Sequence, residues 1–157
     1  LVPGADKLDA AAVCDMLGLA DRAVVYDLFD EVMSGKIADA LDRFDAMYRD
    51  GADPLIVLQD ILDLVYWLTR IKTAPAVADA AYTPEMERTR GKGMADKLSM
   101  PSLTRAWQLT LKGVGEVQTA PNALQAAQMA LVRLAQAADL PAPAALERQL
   151  TGGGTPV

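Results

Sequence analysis

The sequence predicts an all-α fold, a compact bundle of about six to seven helices. Three observations carry this reading. Apolar residues recur at i, i+3 and i+4 through most of the chain, and no stretch alternates with the period of two that a strand requires. A cap residue followed by Pro opens a helical pattern at Asp53-Pro54 and again at Thr83-Pro84. The run from Asp53 to Ile71 is apolar nearly all the way round. Its only polar stripe is Gln59/Asp60, Asp63 and Arg70, with Trp67 set inside it. A helix of this kind must be covered on most sides, by its own domain or by another chain.

The elements follow in order. Leu8 to Leu17 reads as a short helix that Gly18 stops. Asp21 caps a second helix to about Met33, with Val24, Val25, Leu28, Phe29, Val32 and Met33 inward and Ser34-Gly35 as its end. Lys36 to Asp50 is a third, with Ile37, Leu41, Phe44 and Met47/Tyr48 on one face and Gly51 as its stop. The short link to Asp53 predicts that the third and fourth helices pack as an antiparallel hairpin. The fourth helix runs to about Thr73, and residues 74–83 form a loop or weak helix. The fifth spans about 83–99; Gly91 and Gly93 each cost about 1 kcal/mol in a helix interior, so the sequence leaves open whether it is one continuous helix or is broken near Gly91. The sixth restarts at Pro101, with Leu103, Ala106/Trp107, Leu111, Val114 and Val117 inward. The seventh runs from Pro121 to about Asp139, with Leu124, Ala127, Leu131, Leu134 and Ala138 inward. Gln128 lies near the edge of that face, so its amide needs a partner. Residues 141–157 form a Pro/Gly-rich linker or disordered tail.

Composition excludes several function classes. The chain has 157 residues, 52% apolar and 23% charged, enough for one domain with a sizeable core. A net charge of −6 disfavours direct nucleic-acid binding, which needs a dense basic surface. The absence of His removes the commonest general base and metal ligand. The single Cys14 allows no internal disulfide and reads as a small buried apolar residue; a reduced, cytoplasmic compartment is the natural setting. Leu1-Val2-Pro3-Gly4 has no signal-peptide character, and the absence of an initiator Met suggests a fragment. The charges at Asp60, Asp63 and Arg70 argue against a membrane span, which needs about 20 residues without them.

Each candidate site has a plain structural counterpart. Gly91-Lys92-Gly93 and Gly113-Val114-Gly115 fit neither phosphate-loop pattern and follow no strand. Arg88, Arg90, Lys92 and Lys97 form a basic cluster that reads as a solvated helix face more readily than as a nucleic-acid or acidic-partner site. Asp60 and Asp63, at i and i+3, could serve as acid and base or hold a metal; exposure or pairing with Arg70 fits their stripe better. Trp67 is either roofed by a neighbouring element or part of an interface, where Trp is enriched. No catalytic, cofactor-binding or metal-binding set emerges.

Several segments together resemble one family. Val13-Cys14-Asp15-Met16-Leu17-Gly18-Leu19, followed by Asp21, is similar to the V-x-x-M-L-G-x segment of bacterial DNA polymerase III gamma/tau subunits. The Gly51-x-Asp53-Pro54 start of a long apolar helix also fits. So do Trp107-Gln108-Leu109-Thr110-Leu111-Lys112-Gly113, Ala120-Pro121-Asn122 and the final helix with Gln128-Met129-Ala130-Leu131-Val132-Arg133-Leu134. The resemblance covers about Leu8 to Leu140 and rests on order and spacing rather than on one motif. Gln128 departs from it, standing where the family often has Glu.

The resemblance implies a domain plan. Residues 1–18 end the preceding lid domain or form an N-terminal helix, residues 19–140 form the third, collar domain, and residues 141–157 begin a linker. It also implies a non-catalytic role: the collar holds clamp-loader subunits in a ring during DNA replication, while ATPase domains absent from this chain hydrolyse nucleotide. The implied partners are gamma/tau copies, delta and delta-prime, met through helical faces, with no cofactor, no nucleic acid and no membrane. Rings use heterologous contacts, so each subunit offers two different faces. The expected faces are Asp60, Asp63, Trp67 and Arg70 on the fourth helix, and Met129 and Arg133 on the last. Two rival readings are a helical adaptor that binds a peptide as a monomer, and a small helical enzyme working with Asp, Glu, Arg and Lys alone.

Overall fold

The structure, a computed structural model, describes residues 22–139. The expected helix at Leu8–Leu17, Cys14, and the segments 1–18 and 141–157 lie outside the described residues. Six α-helices and one 3-10 turn make up the described part, with no strand among the described residues. They are α1 (22–33), α2 (Ile37–Arg49), α3 (Pro54–Thr73), α4 (Glu85–Lys97), α5 (Met100–Thr119) and α6 (Ala123–Asp139), with the 3-10 turn Pro75–Asp79 between α3 and α4. The all-α bundle is therefore the observed architecture.

Local chemistry explains most helix ends. The Asp53 carboxylate accepts from Leu55 N at 2.9 Å, and Pro54 opens α3 where no N–H is required. Gly35 and Gly51 end α1 and α2 at φ +77° and +103°, a region that strains any residue with a Cβ. Ser99 caps α5 through its Oγ, which accepts from Ser102 N, and Pro101 follows inside the first turn. Asn122 rather than Pro121 starts α6: its side chain accepts from Gln125 N at 3.1 Å. At α4 the expected cap fails. Pro84 itself occupies the cap position with no side-chain bond, and Thr83 is buried instead.

The core is organised on α3, which packs against α4, α5, α6 and the 3-10 turn. Val57, Leu58, Ile61, Leu64, Val65, Leu68 and Ile71 are all buried along it. Val25, Leu28, Phe29 and Val32 of α1 join this core, as does Tyr26. The expected α2–α3 hairpin does not form. Among the described helices α2 packs on α6, burying Ala40 and Phe44, while α3 packs on α5. The reversal at Gly51 brings the two helices together only at their junction, and the apolar sides of α3 are already occupied by α4, α5 and α6.

Packing distance resolves one open point and corrects one expectation. α4 is continuous from Glu85 to Lys97, with no break at Gly91. A Cβ at Gly91 would come within 2.8 Å of Ile71 Cδ1 and 2.9 Å of Trp67 Nε1, so this glycine is the notch that lets α4 lie on α3. α5 faces the core with Leu103, Ala106, Thr110, Gly113 and Val117, while Trp107 and Leu111 turn outward. The cause is the α5–α6 seam: a Cβ at Gly113 would stand 2.7 Å from Ala130 Cβ. The helices approach so closely that small residues line the seam, and the bulkier apolar residues are displaced to the neighbouring face.

Gly113 and Gly115 therefore respond oppositely to alanine. Nothing lies within 4 Å of a Cβ at Gly115. Gly115→Ala should raise stability by about 1 kcal/mol through helix propensity. Gly113→Ala should lower it by about 1–3 kcal/mol by forcing α5 from α6. Urea denaturation of the two variants measures both signs.

Candidate functional site

Asp60 and Asp63 are exposed on α3 and line one cleft of about 80 Å³ together with Trp67, Tyr26 and the Arg22–Glu87 pair. Three helices build it. α3 supplies the two aspartates and Trp67, α1 supplies Arg22 and Tyr26, and α4 supplies Glu87. Arg22 Nε forms an ion pair with the buried Glu87 carboxylate, and Arg90 Nη2 reaches Asp27 Oδ1 at 2.8 Å, so α1 and α4 are clamped by charge. The Arg90 guanidinium also lies 5.3 Å over the Tyr26 ring.

Trp67 is half-buried. Gly91 gives it room beneath α4, which settles how an indole fits the polar side of α3. Its Nε1 and the Tyr26 hydroxyl are buried close to each other, yet neither completes a well-formed hydrogen bond. Burial pushes the Tyr26 phenol well above its ordinary range, helped by the Glu87 carboxylate. A neutral tyrosine and an indole offer no nucleophile or base at neutral pH. Among the described residues no group of three or more Cys, Asp or Glu side chains is placed to hold a metal ion.

Arg70 does not join the cleft. Its Nη1 donates to the Tyr66 hydroxyl at 3.1 Å, and its guanidinium lies 6.0 Å from the Tyr66 ring centroid. Tyr66 in turn shares a shallow pocket of about 170 Å³ with Trp107, Thr69 and Thr104 across α3 and α5. Tyr66 is 53% exposed, Trp107 37% and Leu111, one turn beyond Trp107, 50%. This aromatic ridge escapes a reading of the sequence, because large apolar residues at helical spacing look like core. The seam-lining glycine beside them is the signal that would have found it.

On α6, Met129 is 56% exposed and Arg133 is tied inward. Arg133 forks onto the Glu116 carboxylate of α5, with Nη1 3.1 Å from Oε2, and its Nε is buried without a partner. The hydrogen bonds from Arg133 hold the Glu116 carboxyl below its ordinary value of 4.5. Gln128 finds the partner its position demands: Nε2 donates to Asp45 Oδ1 at 2.7 Å, tying α6 to α2. A glutamate at this position would set two like charges against each other, so the glutamine matches Asp45.

The remaining motifs are absorbed by the fold. Gly91-Lys92-Gly93 and Gly113-Val114-Gly115 lie inside α4 and α5, with no loop to cradle a phosphate. In the basic cluster, Arg88 donates to Thr83 O, Arg90 pairs with Asp27 and Lys92 with Asp79. Lys72 and Arg105 each donate to a late carbonyl of a helix, Ala95 of α4 and Ala137 of α6. No described helix is long and apolar enough to cross a membrane.

The family model for DNA polymerase III subunits gamma and tau domain III matches residues 8–150, nearly the whole chain. No individual curated protein shows a significant match. The chain belongs to this clamp-loader domain family.

The Arg133–Glu116 link gives a pH-dependent test. A carboxyl with a depressed folded pKa stabilises above its unfolded value and loses that contribution as pH falls through the folded one. Glu116→Gln should lower the thermal midpoint at pH 7 by about 1–2 °C, the modest size expected of a part-exposed pair. The gap to the wild type should close as pH falls from neutrality to about 3. Circular-dichroism melts across this range measure it.

Proposed function

We propose that this member of the gamma and tau domain III family is an assembly domain. It holds clamp-loader subunits of DNA polymerase III together through helical faces, while separate ATPase domains do the chemistry. Its partners are further gamma/tau copies and the delta and delta-prime subunits, in the cytoplasm. It carries no catalytic residue or cofactor of its own.

The observation that carries this reading is the exposed ridge of Tyr66, Trp107 and Leu111 beside a core that is already closed. A domain that buries Phe29, Phe44, Leu58, Ile61 and Leu68 completely has no internal need for these side chains. Exposed aromatic residues at hydrogen-bonding or cation-stacking distance from an arginine have the composition of interface hot spots. One face of the domain is α3 with Asp60, Asp63, Trp67 and Arg70, extended by the Tyr66–Trp107 ridge. The other is the outer side of α6 at Met129 and Arg133. Two unlike faces suit the heterologous contacts of a ring.

Sedimentation equilibrium from low micromolar to hundreds of micromolar tests the reading. The expected result is concentration-dependent trimers or tetramers. Trp107→Ala should shift the population toward monomer while leaving the thermal midpoint within about 2 °C of wild type, because the indole is part-exposed. Trp67→Ala is the poorer probe, since that side chain also packs under α4. A chain that stays monomeric throughout contradicts assembly by this domain alone.

A further inference from the structure

The pocket between Tyr66 and Trp107 is small, aromatic and neutral. The two rings and the side chains of Thr69 and Thr104 line its volume of about 170 Å³, and no charged side chain does. The Tyr66 hydroxyl accepts from Arg70, which leaves its own proton to donate elsewhere. Such a site suits an extended, uncharged, proline-bearing segment. Its rings pack on aromatic faces, and its carbonyls accept from hydroxyl and indole donors. A segment of that kind follows α6 in this chain: Leu140-Pro141-Ala142-Pro143. The end of α6 lies close to the pocket. Arg105 Nη1 donates to Ala137 O at 3.0 Å, so the last turn of α6 rests on α5 beside Arg105. Thr104, the residue before Arg105, and Trp107, two residues after it, line the pocket. Because α5 packs on α6 and on α3, it is the one helix between the end of α6 and the pocket. The exposed residues at this end of α5, Pro101, Thr104 and Gln108, carry no charge.

We propose that Pro141-Ala142-Pro143 folds back across α5 of its own chain and seats in the Tyr66–Trp107 pocket, as a strap that a neighbouring subunit displaces on assembly. Leu140 and Ala142 each precede a proline, which favours extended backbone at both. Residues 140–143 in polyproline II form span about 12 Å, the diameter of the one helix they cross. The short connection sets an effective concentration in the millimolar range, so a contact too weak to hold a separate peptide holds here. The same advantage favours this segment over a second copy or another protein in the free chain. The family match also continues through the segment, to residue 150. The displacement rests on the assembly reading above; the contact does not, because it belongs to the monomer.

The test is NMR of the isotope-labelled intact chain over a dilution series. Trp67 and Trp107 are its two tryptophans, so Trp107→Phe assigns both indole N–H peaks. Pro141→Ser with Pro143→Ser should move the Trp107 peak by more than a linewidth and leave the Trp67 peak, seated under α4, in place. Nuclear Overhauser contacts between the Trp107 ring and proline ring protons should be present in the wild type and lost in the double variant. Both differences should persist unchanged on dilution, with the thermal midpoint of the variant within about 2 °C of wild type. In sedimentation equilibrium the same variant should associate several-fold more tightly, because its neighbour no longer competes with the strap. A Trp107 peak indifferent to both prolines leaves the pocket to another occupant and overturns the inference. A difference that fades on dilution puts the segment of one copy on another and overturns it too. Association that is equal in variant and wild type overturns the displacement. Monomers in both would remove the displacement together with the assembly reading, while the indole peak decides the contact by itself.

Discussion

The burial of α3 is the constraint on which the rest of the structure depends. A helix this apolar cannot lie at the edge of a bundle, and four elements surround it in succession. Its neighbours need little helix-forming strength of their own. α4 is polar, carries two glycines and lacks a side-chain cap, yet it is continuous because Gly91 seats on Trp67 and Ile71. Tertiary packing outweighs the propensity cost of about 1 kcal/mol per glycine. Charge then fixes how the outer helices sit. Arg22–Glu87 and Arg90–Asp27 join α1 to α4, Arg43–Glu31 joins α1 to α2, and Arg133–Glu116 joins α6 to α5.

Much of this was legible in the sequence, and the failures share one cause. Asp53-Pro54 marks the start of α3 unambiguously, because cap chemistry is local. Helical period also places Val25, Leu28, Phe29 and Val32 of α1 and Ala127, Leu131 and Leu134 of α6 in the core, but it misses Tyr26 and Ala130 and overstates Val24, Met33, Leu124 and Ala138, which are only part-buried. What period does not encode is the distance between helices. Ranking by hydrophobicity sets Leu111 above Gly113, but the α5–α6 seam selects the smaller side chain and turns the larger one outward. The same blindness hid Tyr66 and Trp107, whose sequence context is that of core residues. The α2–α3 hairpin failed for a related reason. A short connection makes two helices adjacent in the chain, but it does not decide which apolar faces meet.

The candidate surfaces follow from that packing. Asp60, Asp63 and Trp67 gather in one cleft, whereas Arg70 is drawn to Tyr66 on the adjoining ridge. A polar stripe that looks continuous on a helical wheel is thus divided by what its neighbours cover. Membership of the gamma and tau domain III family gives these surfaces their context. In the same cleft the buried Tyr26 is held neutral and the buried Glu87 is engaged in an ion pair with Arg22.

Native-state hydrogen exchange tests the central role of α3 most directly. The account requires that the amides of α3 exchange only through global unfolding, with those of α5 close behind. The α4 amides should open through a lower-energy, sub-global step, because α4 depends on α3 while α3 has other partners. Exchange from α3 at or before the opening of α4 would contradict the account. It would mean that the bundle is organised on some other helix, with α3 as its passenger.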